Sequence, residues 1–244
     1  MMKRYLGLAC CLFLVACATQ SHVKKETNKE SQNIKGASTS NESANSQLLQ
    51  KGVEKLKAGS LKDAIESHFD PIINDCQVNY EGKKKLYFGA RTPVETIMYA
   101  ALGGSLKKDT VVLDSTCGDA NFFKGFALID LGQVNEAKVF FEAAINWSPQ
   151  NSMYLAELGN LYQLKKNWKK SLDYFTQSEE AAVFSPESIK TQELLRAKRG
   201  VGYNLTELGR LDEAEEKYRE CLAVDKNDKK ALSELAYIKN LKNK

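Results

Sequence analysis

The stretch "LGQVNEAKVFFEAAI", residues 131–145, decides the fold, because two later stretches repeat its pattern. These are "KKNWKKSLDYFTQSE", 165–179, and "LGRLDEAEEKYRECL", 208–222. Each holds a small residue (Ala137, Ser171, Ala214) and an aromatic four places on (Phe141, Phe175, Tyr218). Twelve places before each small residue stands a glycine: Gly125, Gly159 and Gly202. The first two glycines are 34 residues apart and the next two 43, so nine residues are inserted in the second interval. A period of this length marks stacked supersecondary units, none of which buries its apolar stripe alone. Leu155, Leu158 and Tyr162 give that stripe in helical spacing.

The pattern resembles the tetratricopeptide repeat, a helical hairpin with Leu-Gly-x2-Tyr on the first helix and Ala-x3-Phe then Pro on the second. The first unit matches at Gly125, Leu128, Ala137, Phe141 and Pro149, and the second at Leu155, Leu158, Gly159, Tyr162, Ser171 and Phe175. The third matches at Val201, Gly202, Leu205, Ala214 and Tyr218. It departs from the motif where Lys226 replaces proline, and the second unit where Lys166 replaces the turn glycine seen at Gly132 and Gly209. The resemblance implies an all-α fold, a right-handed solenoid of helical hairpins.

The frame divides the chain. Residues 118–151 are the first unit, 152–194 the second with its insertion, 195–228 the third, and 229–244 a capping helix. Ser185-Pro186-Glu187 reads as a helix start, so the first helix of the third unit begins early and is long. Upstream, residues 45–117 hold a degenerate repeat and an irregular helical segment. Gly52 and Ala64 keep the spacing of twelve, Gly59 falls at the turn, and Pro71 kinks or restarts the second helix at Asp70. Residues 79–113 fit least well: "YEGKKKLYFGART" reads as extended or looped. Thr92-Pro93 caps a helix running towards Asp114, with Gly103-Gly104 as a weak point.

The N-terminus reads separately. "MMKRYLGLACCLFLVAC" has basic Lys3 and Arg4 and an apolar run too short to span a bilayer. Leu14-Val15-Ala16-Cys17 resembles a bacterial lipobox, which implies a signal peptide over 1–16 and diacylglycerol and palmitate on Cys17. Two or three acyl chains anchor stably. Ala18 after the cysteine implies the outer membrane, facing the periplasm. Residues 17–44 are the lipidated cysteine and a Ser-, Asn-, Lys- and Glu-rich tether, too poor in apolar side chains to fold.

Lysine and arginine total 35 against 31 acids, and without Lys3 and Arg4 the balance is 33 to 31, which offers no general attraction for nucleic acid. The lysine-rich end from Lys226 reads as a solvated last helix. Cys76, Cys117 and Cys221 are expected as buried or half-buried thiols; one disulfide among them is compatible with an oxidising compartment.

"VVLDSTCGDANFFKG", 111–125, looks in isolation like the strand and turn that open a cofactor site. It has one glycine where such sites have two or three, and repeat spacing follows it. In the frame Asp114 ends a helix and Ser115-Thr116-Cys117 make an inter-repeat turn. His68 has no metal-spaced partner, and no hydrolase, zincin or phosphate-loop motif occurs. We expect no catalytic residue, no cofactor and no metal.

The resemblance implies a peptide groove lined by the first helices of each hairpin. In this sequence those positions are Phe122, Phe126 and Ile129, then Met153, Ala156, Asn160 and Gln163, then Arg199, Tyr203 and Glu207. Asn160 and Arg199 suit a peptide backbone or carboxylate. The expected function is a non-enzymatic protein-protein adaptor or assembly factor at the cell envelope, binding a segment of an envelope protein. The alternative is a regulator or chaperone-like protein that sequesters one secreted or envelope partner.

Overall fold

The computed structural model describes residues 31–243, with side chains from Ala44 onward. The signal peptide, Cys17 and the first part of the tether lie outside the described residues. Helix α1 (Ser31–Lys57) takes in the last part of the segment read as tether, since a helix once formed extends at little cost per residue. Its Leu48, Leu49, Val53 and Leu56 pack on the core.

A second helix answers α1 across a turn at Gly59, whose φ is 77°. It runs as α2 (Leu61–Ala64), a π-turn (Ile65–Phe69) and α3 (Asp70–Tyr80), with Pro71 in the first turn of α3. The π-turn adds one residue to the helix. As a result Phe69, one place later than the repeat frame requires, closes on Gly52, where a Cβ would lie 2.6 Å from Phe69 Cε1. This is the degenerate repeat, with its aromatic displaced by one. His68 is buried beside it, its Nδ1 3.1 Å from the Asp63 carbonyl oxygen.

Three regular hairpins follow: α5 (Thr116–Asp130) with α6 (Val134–Trp147), α7 (Ser152–Leu164) with α8 (Trp168–Ala181), and α9 (Glu187–Glu207) with α10 (Leu211–Val224). Helix α11 (Lys229–Lys242) covers the end. Within each hairpin the glycine meets the aromatic: Gly125 with Phe141, Gly159 with Phe175, Gly202 with Tyr218. These glycines admit a ring where any side chain would collide. The hairpin turns need a left-handed residue; Gly132 and Gly209 supply it, and Lys166 adopts φ 54° in the second unit despite its side chain. Asn151, Asn167 and Asp228 cap α7, α8 and α11 by accepting backbone N–H groups.

The core is two clusters along the stack. One centres on Phe69, Phe122, Phe141 and Tyr154, the other on Phe175, Leu205, Tyr218 and Ile238. Among the described residues the architecture is a tetratricopeptide-type helical-hairpin solenoid with a strand-containing insertion before the first regular hairpin.

That insertion corrects the sequence reading. Between α3 and α5 lie β1 (Leu86–Ala90), α4 (Pro93–Ser105) and β2 (Thr110–Asp114). The strands pair in parallel, Leu86 opposite Thr110 and Ala90 opposite Asp114. Asp114 therefore ends a strand, not a helix. Thr116 and Cys117 stand in the first turn of α5 rather than in an inter-repeat turn. Val111 and Val112, both β-branched, suit the sheet, and β1 supplies the backbone partners a lone strand would lack. Helix α4 is capped by Thr92 as expected but stops at Ser105, where Gly103 allows Thr110 to pack against it.

The cysteines divide between the two expected forms. Cys76 on α3 and Cys117 on α5 form a disulfide, while Cys221 stays free and buried. Burial pushes the Cys221 thiol up to about 11.

The two departures from the repeat frame meet each other. The nine extra residues become a 3-10 turn (Ala182–Phe184) and the early start of α9, which is 21 residues long. Ser185 does not cap α9; its hydroxyl donates to Glu193 at 2.5 Å. Arg91, at the end of β1, donates from Nη2 to Glu95 at 2.8 Å and from Nη1 to Glu193 at 2.9 Å. Glu95 is fully buried, and also accepts from the Arg91 backbone N–H. Burial works against the Arg91 charge, but the two carboxylates outweigh it and hold the guanidinium more firmly protonated than usual. Behind this pair, Ser115 and Tyr154 both donate to Asp119 at 2.6 Å. Burial lifts the Asp119 carboxyl above its ordinary value against those bonds. Ser148, in the turn after α6, donates to the Gly89 carbonyl at 2.7 Å, and Gln150 N–H donates to Tyr99 Oη.

Candidate functional site

The candidate site follows from how α7, α9 and α11 line up. Each presents one face to the same side of the stack, with Phe175 and Tyr218 of the second helices forming the floor. Together they line an open cavity of about 400 Å³. Gly200 lets the floor come close: a Cβ there would lie 2.2 Å from Phe175 Cδ1.

Asn160 and Gln163 come from α7, Arg196, Arg199 and Tyr203 from α9, and Lys230, Ser233 and Glu234 from α11. On α9 the spacing is i, i+3, i+7, one helix face. The arginines are held in place before any ligand arrives. Arg196 pairs with Glu157, which also accepts from Asn160 Nδ2 at 3.0 Å. Arg199 donates to Asp228 Oδ2 at 2.6 Å. Asp228 uses its other oxygen to accept from the N–H groups of Lys230 and Ala231, so one carboxylate both caps α11 and orients Arg199. Burial acts to raise the Asp228 carboxyl, but Arg199 and the backbone donors outweigh it and hold it below its ordinary value.

Lys230 has no salt-bridge partner among the described residues. Glu234 is the cavity's one lining acid, and burial followed by the charge of Glu207 raises its carboxyl. Arg196 and Arg199 are each paired with an acid beside the cavity, which leaves Lys230 as its unpaired lining cation; with the amide groups and two tyrosines this suits a ligand that carries a carboxylate and an extended backbone.

Of the positions expected from sequence, Asn160, Gln163, Arg199 and Tyr203 come together here. Glu207 is exposed just beyond the lining, close enough to act on Tyr203 and Glu234. The others do not join. Phe122 is buried and stacks on Tyr154 at 5.1 Å between ring centres, so it belongs to the core. Ile129 and Met153 pack partly buried against that core, and Ala156 is buried in the second cluster. Phe126 is exposed on α5 but does not line the cavity. The site is thus built by the second and third units and the capping helix, with no share from the first. Arg196, Lys230, Ser233 and Glu234 were missed. The signal was present: Arg196 stands one turn before Arg199, and Lys230 and Glu234 share a face of the helix read only as a cap.

Among the described residues, no group of three or more His, Cys, Asp or Glu side chains is placed to hold a metal, and no helix is long and apolar enough to cross a membrane.

The tetratricopeptide repeat family model matches residues 118–151 and 201–228. The chain carries tetratricopeptide repeats in those two stretches. Among solved structures it is similar to PilF of Pseudomonas aeruginosa, at 12% identity and a TM-score of 0.55, over 82% of this chain and 70% of that one. This likeness shows the fold. MamA MSR-1 aligns at 18% identity and a TM-score of 0.49, covering 82% of this chain and 87% of that one. The first repeat domain of Spaghetti (RPAP3), bound to the HSP90 peptide SRMEEVD, aligns at 19% identity and 0.47, over 54% of this chain and 98% of that one. No curated protein sequence matches the chain.

Proposed function

We propose that this protein is a non-enzymatic adaptor of a bacterial cell envelope, holding a carboxylate-bearing segment of another envelope protein in the cavity between α7, α9 and α11. The observation that carries the reading is the convergence of Asn160, Gln163, Arg199, Tyr203 and Lys230 on one open cavity. Its two arginines are oriented by ion pairs with Glu157 and Asp228, and Lys230 joins no salt bridge among the described residues.

The location is a separate part of the proposal. Diacylglycerol on Cys17 would fix the chain to the periplasmic face of the outer membrane. The Cys76–Cys117 disulfide supports an oxidising compartment, since such bonds seldom persist in a reducing cytosol. Labelling with a fatty acid that persists in a Cys17→Ala variant would contradict the anchor.

The groove is tested by placing a photo-crosslinking residue at Gln163 in cells and identifying the adducts by mass spectrometry. Captured segments should disappear in the Asn160→Ala, Arg199→Ala double variant. Adducts unchanged by that variant would show that the segment lies elsewhere. A multiprotein set of adducts fits an adaptor; a single stoichiometric partner would move the reading to a sequestering regulator.

A further inference from the structure

The β1-α4-β2 insertion has a surface that the repeat fold does not require. Lys83, Lys84 and Lys85 precede β1, and Lys107 and Lys108 precede β2. The strands are parallel, and Leu86 N–H donates to the Asp109 carbonyl at 2.8 Å. Both lysine groups therefore stand at the same end of the sheet. All five are exposed, and none joins a salt bridge among the described residues. The neighbouring acids in sequence are Glu81 and Asp109.

Helix α4 reaches that end of the sheet at Ser105, and its outer face runs from there back to Pro93. Val94, Ile97 and, just past the helix, Leu106 are 55%, 71% and 54% exposed. Ala100, Ala101 and Gly104 continue the face of Val94 and Ile97, and Leu106 stands beyond its C-terminal end. The only charged residue of α4, Glu95, is fully buried in the pair with Arg91. A surface helix normally turns polar residues to water; this one turns aliphatic side chains outward, and its C-terminal end leads into Lys107 and Lys108.

We propose that this insertion docks on an anionic lipid surface, with Val94, Ile97 and Leu106 in the boundary between headgroups and acyl chains and the five lysines beside the lipid phosphates. The apolar side chains protrude from a convex helix face instead of lining a groove, so a fluid bilayer fits them without a matching pocket. Lysine stems lie along apolar surface while their ammonium groups reach the headgroups. A second copy of the chain would bring five more cations against these five. The inference stands on residues 83–108 and needs neither the anchor at Cys17 nor the groove.

The test uses the full chain carrying Leu106→Trp, read against the parent, with vesicles of phosphatidylcholine with and without phosphatidylglycerol. The expected result is a blue shift of emission only on the anionic vesicles, weakened by salt. Adding Lys107→Glu and Lys108→Glu should weaken apparent binding about tenfold or more, with an unchanged thermal melt. Ile97→Ser, at an exposed position, provides a second variant with the same expected loss. No shift, or an equal shift on neutral vesicles, would overturn the proposal, and so would a shift that grows with protein concentration in the absence of lipid. A shift caused by a poly-glutamate peptide that anionic vesicles fail to displace would assign the surface to an acidic partner instead.

Discussion

Arg91 Nη1 lies 2.9 Å from Glu193 Oε1, across 102 residues of sequence, and ties the β1-α4-β2 insertion to the lengthened start of α9. Both side chains are largely buried, so the pair cannot be broken cheaply. Arg91→Ala would leave Glu95 and Glu193 without their common cation. Removing one partner of a buried pair costs about 3–5 kcal/mol. We expect a loss of that order in chemical denaturation, and faster hydrogen exchange at the start of α9. An Arg91→Ala protein as stable as the parent would show that the pair is solvated.

The Cys76–Cys117 disulfide closes a loop of 41 residues. In the chain-entropy treatment a loop of that length contributes about 4 kcal/mol. Melting should therefore fall sharply on adding a reductant. The Cys76→Ser, Cys117→Ser variant should start at the lower value and not respond to the reductant.

Gly200→Ala tests the floor of the groove. Alanine improves helix propensity by up to about 1 kcal/mol. Against this, its Cβ would lie 2.2 Å from Phe175 Cδ1, and overpacking typically costs about 1–3 kcal/mol. We expect net destabilisation and weaker binding of the captured segment. A more stable variant would mean that Phe175 moves freely.

Asp228 links stability to pH. Its folded carboxyl is held below the ordinary value, so the stabilisation is complete above about pH 4 and is lost as pH falls through the folded value. Asp228→Asn keeps a good capping side chain but removes the charge that Arg199 meets. The variant should show a shallower acid dependence of stability than the parent. Asp228→Ala should lose the cap as well, at about 1 kcal/mol more. Identical acid profiles in all three proteins would exclude the linkage.

The repeats were legible because a packing requirement recurs at fixed spacing. Gly125, Gly159 and Gly202 must each admit a ring from the partner helix, and Phe141, Phe175 and Tyr218 stand sixteen residues on. The insertion was not legible for physical reasons. Each strand has five residues, too few for periodicity to separate from a helix end, and each depends on a partner 24 residues away. Cys76 and Cys117 carry no local spacing signal; only the contact between α3 and α5 unites them. In the site, Asn160 and Gln163 on α7 and Arg199 and Tyr203 on α9 followed from the frame, and Arg196 did not. Phe122 did not, since a position on a first helix faces either groove or core according to a rotation that sequence does not record. The capping helix hid Lys230 and Glu234 because a terminal helix is expected to be polar whether or not it lines anything.

The sulfur bridge also decides how the molecule carries mechanical load. Tension applied from the N-terminal side enters through α1 and α3, reaches Cys76, and crosses directly to Cys117 and α5. The 41-residue span between them is bypassed, so roughly 140 Å of extended chain, at about 3.4 Å per residue, is withheld from stretching. Under pull, β1, α4 and β2 remain slack while the hairpins bear the strain, and the cavity on α9 keeps its Arg91–Glu193 brace.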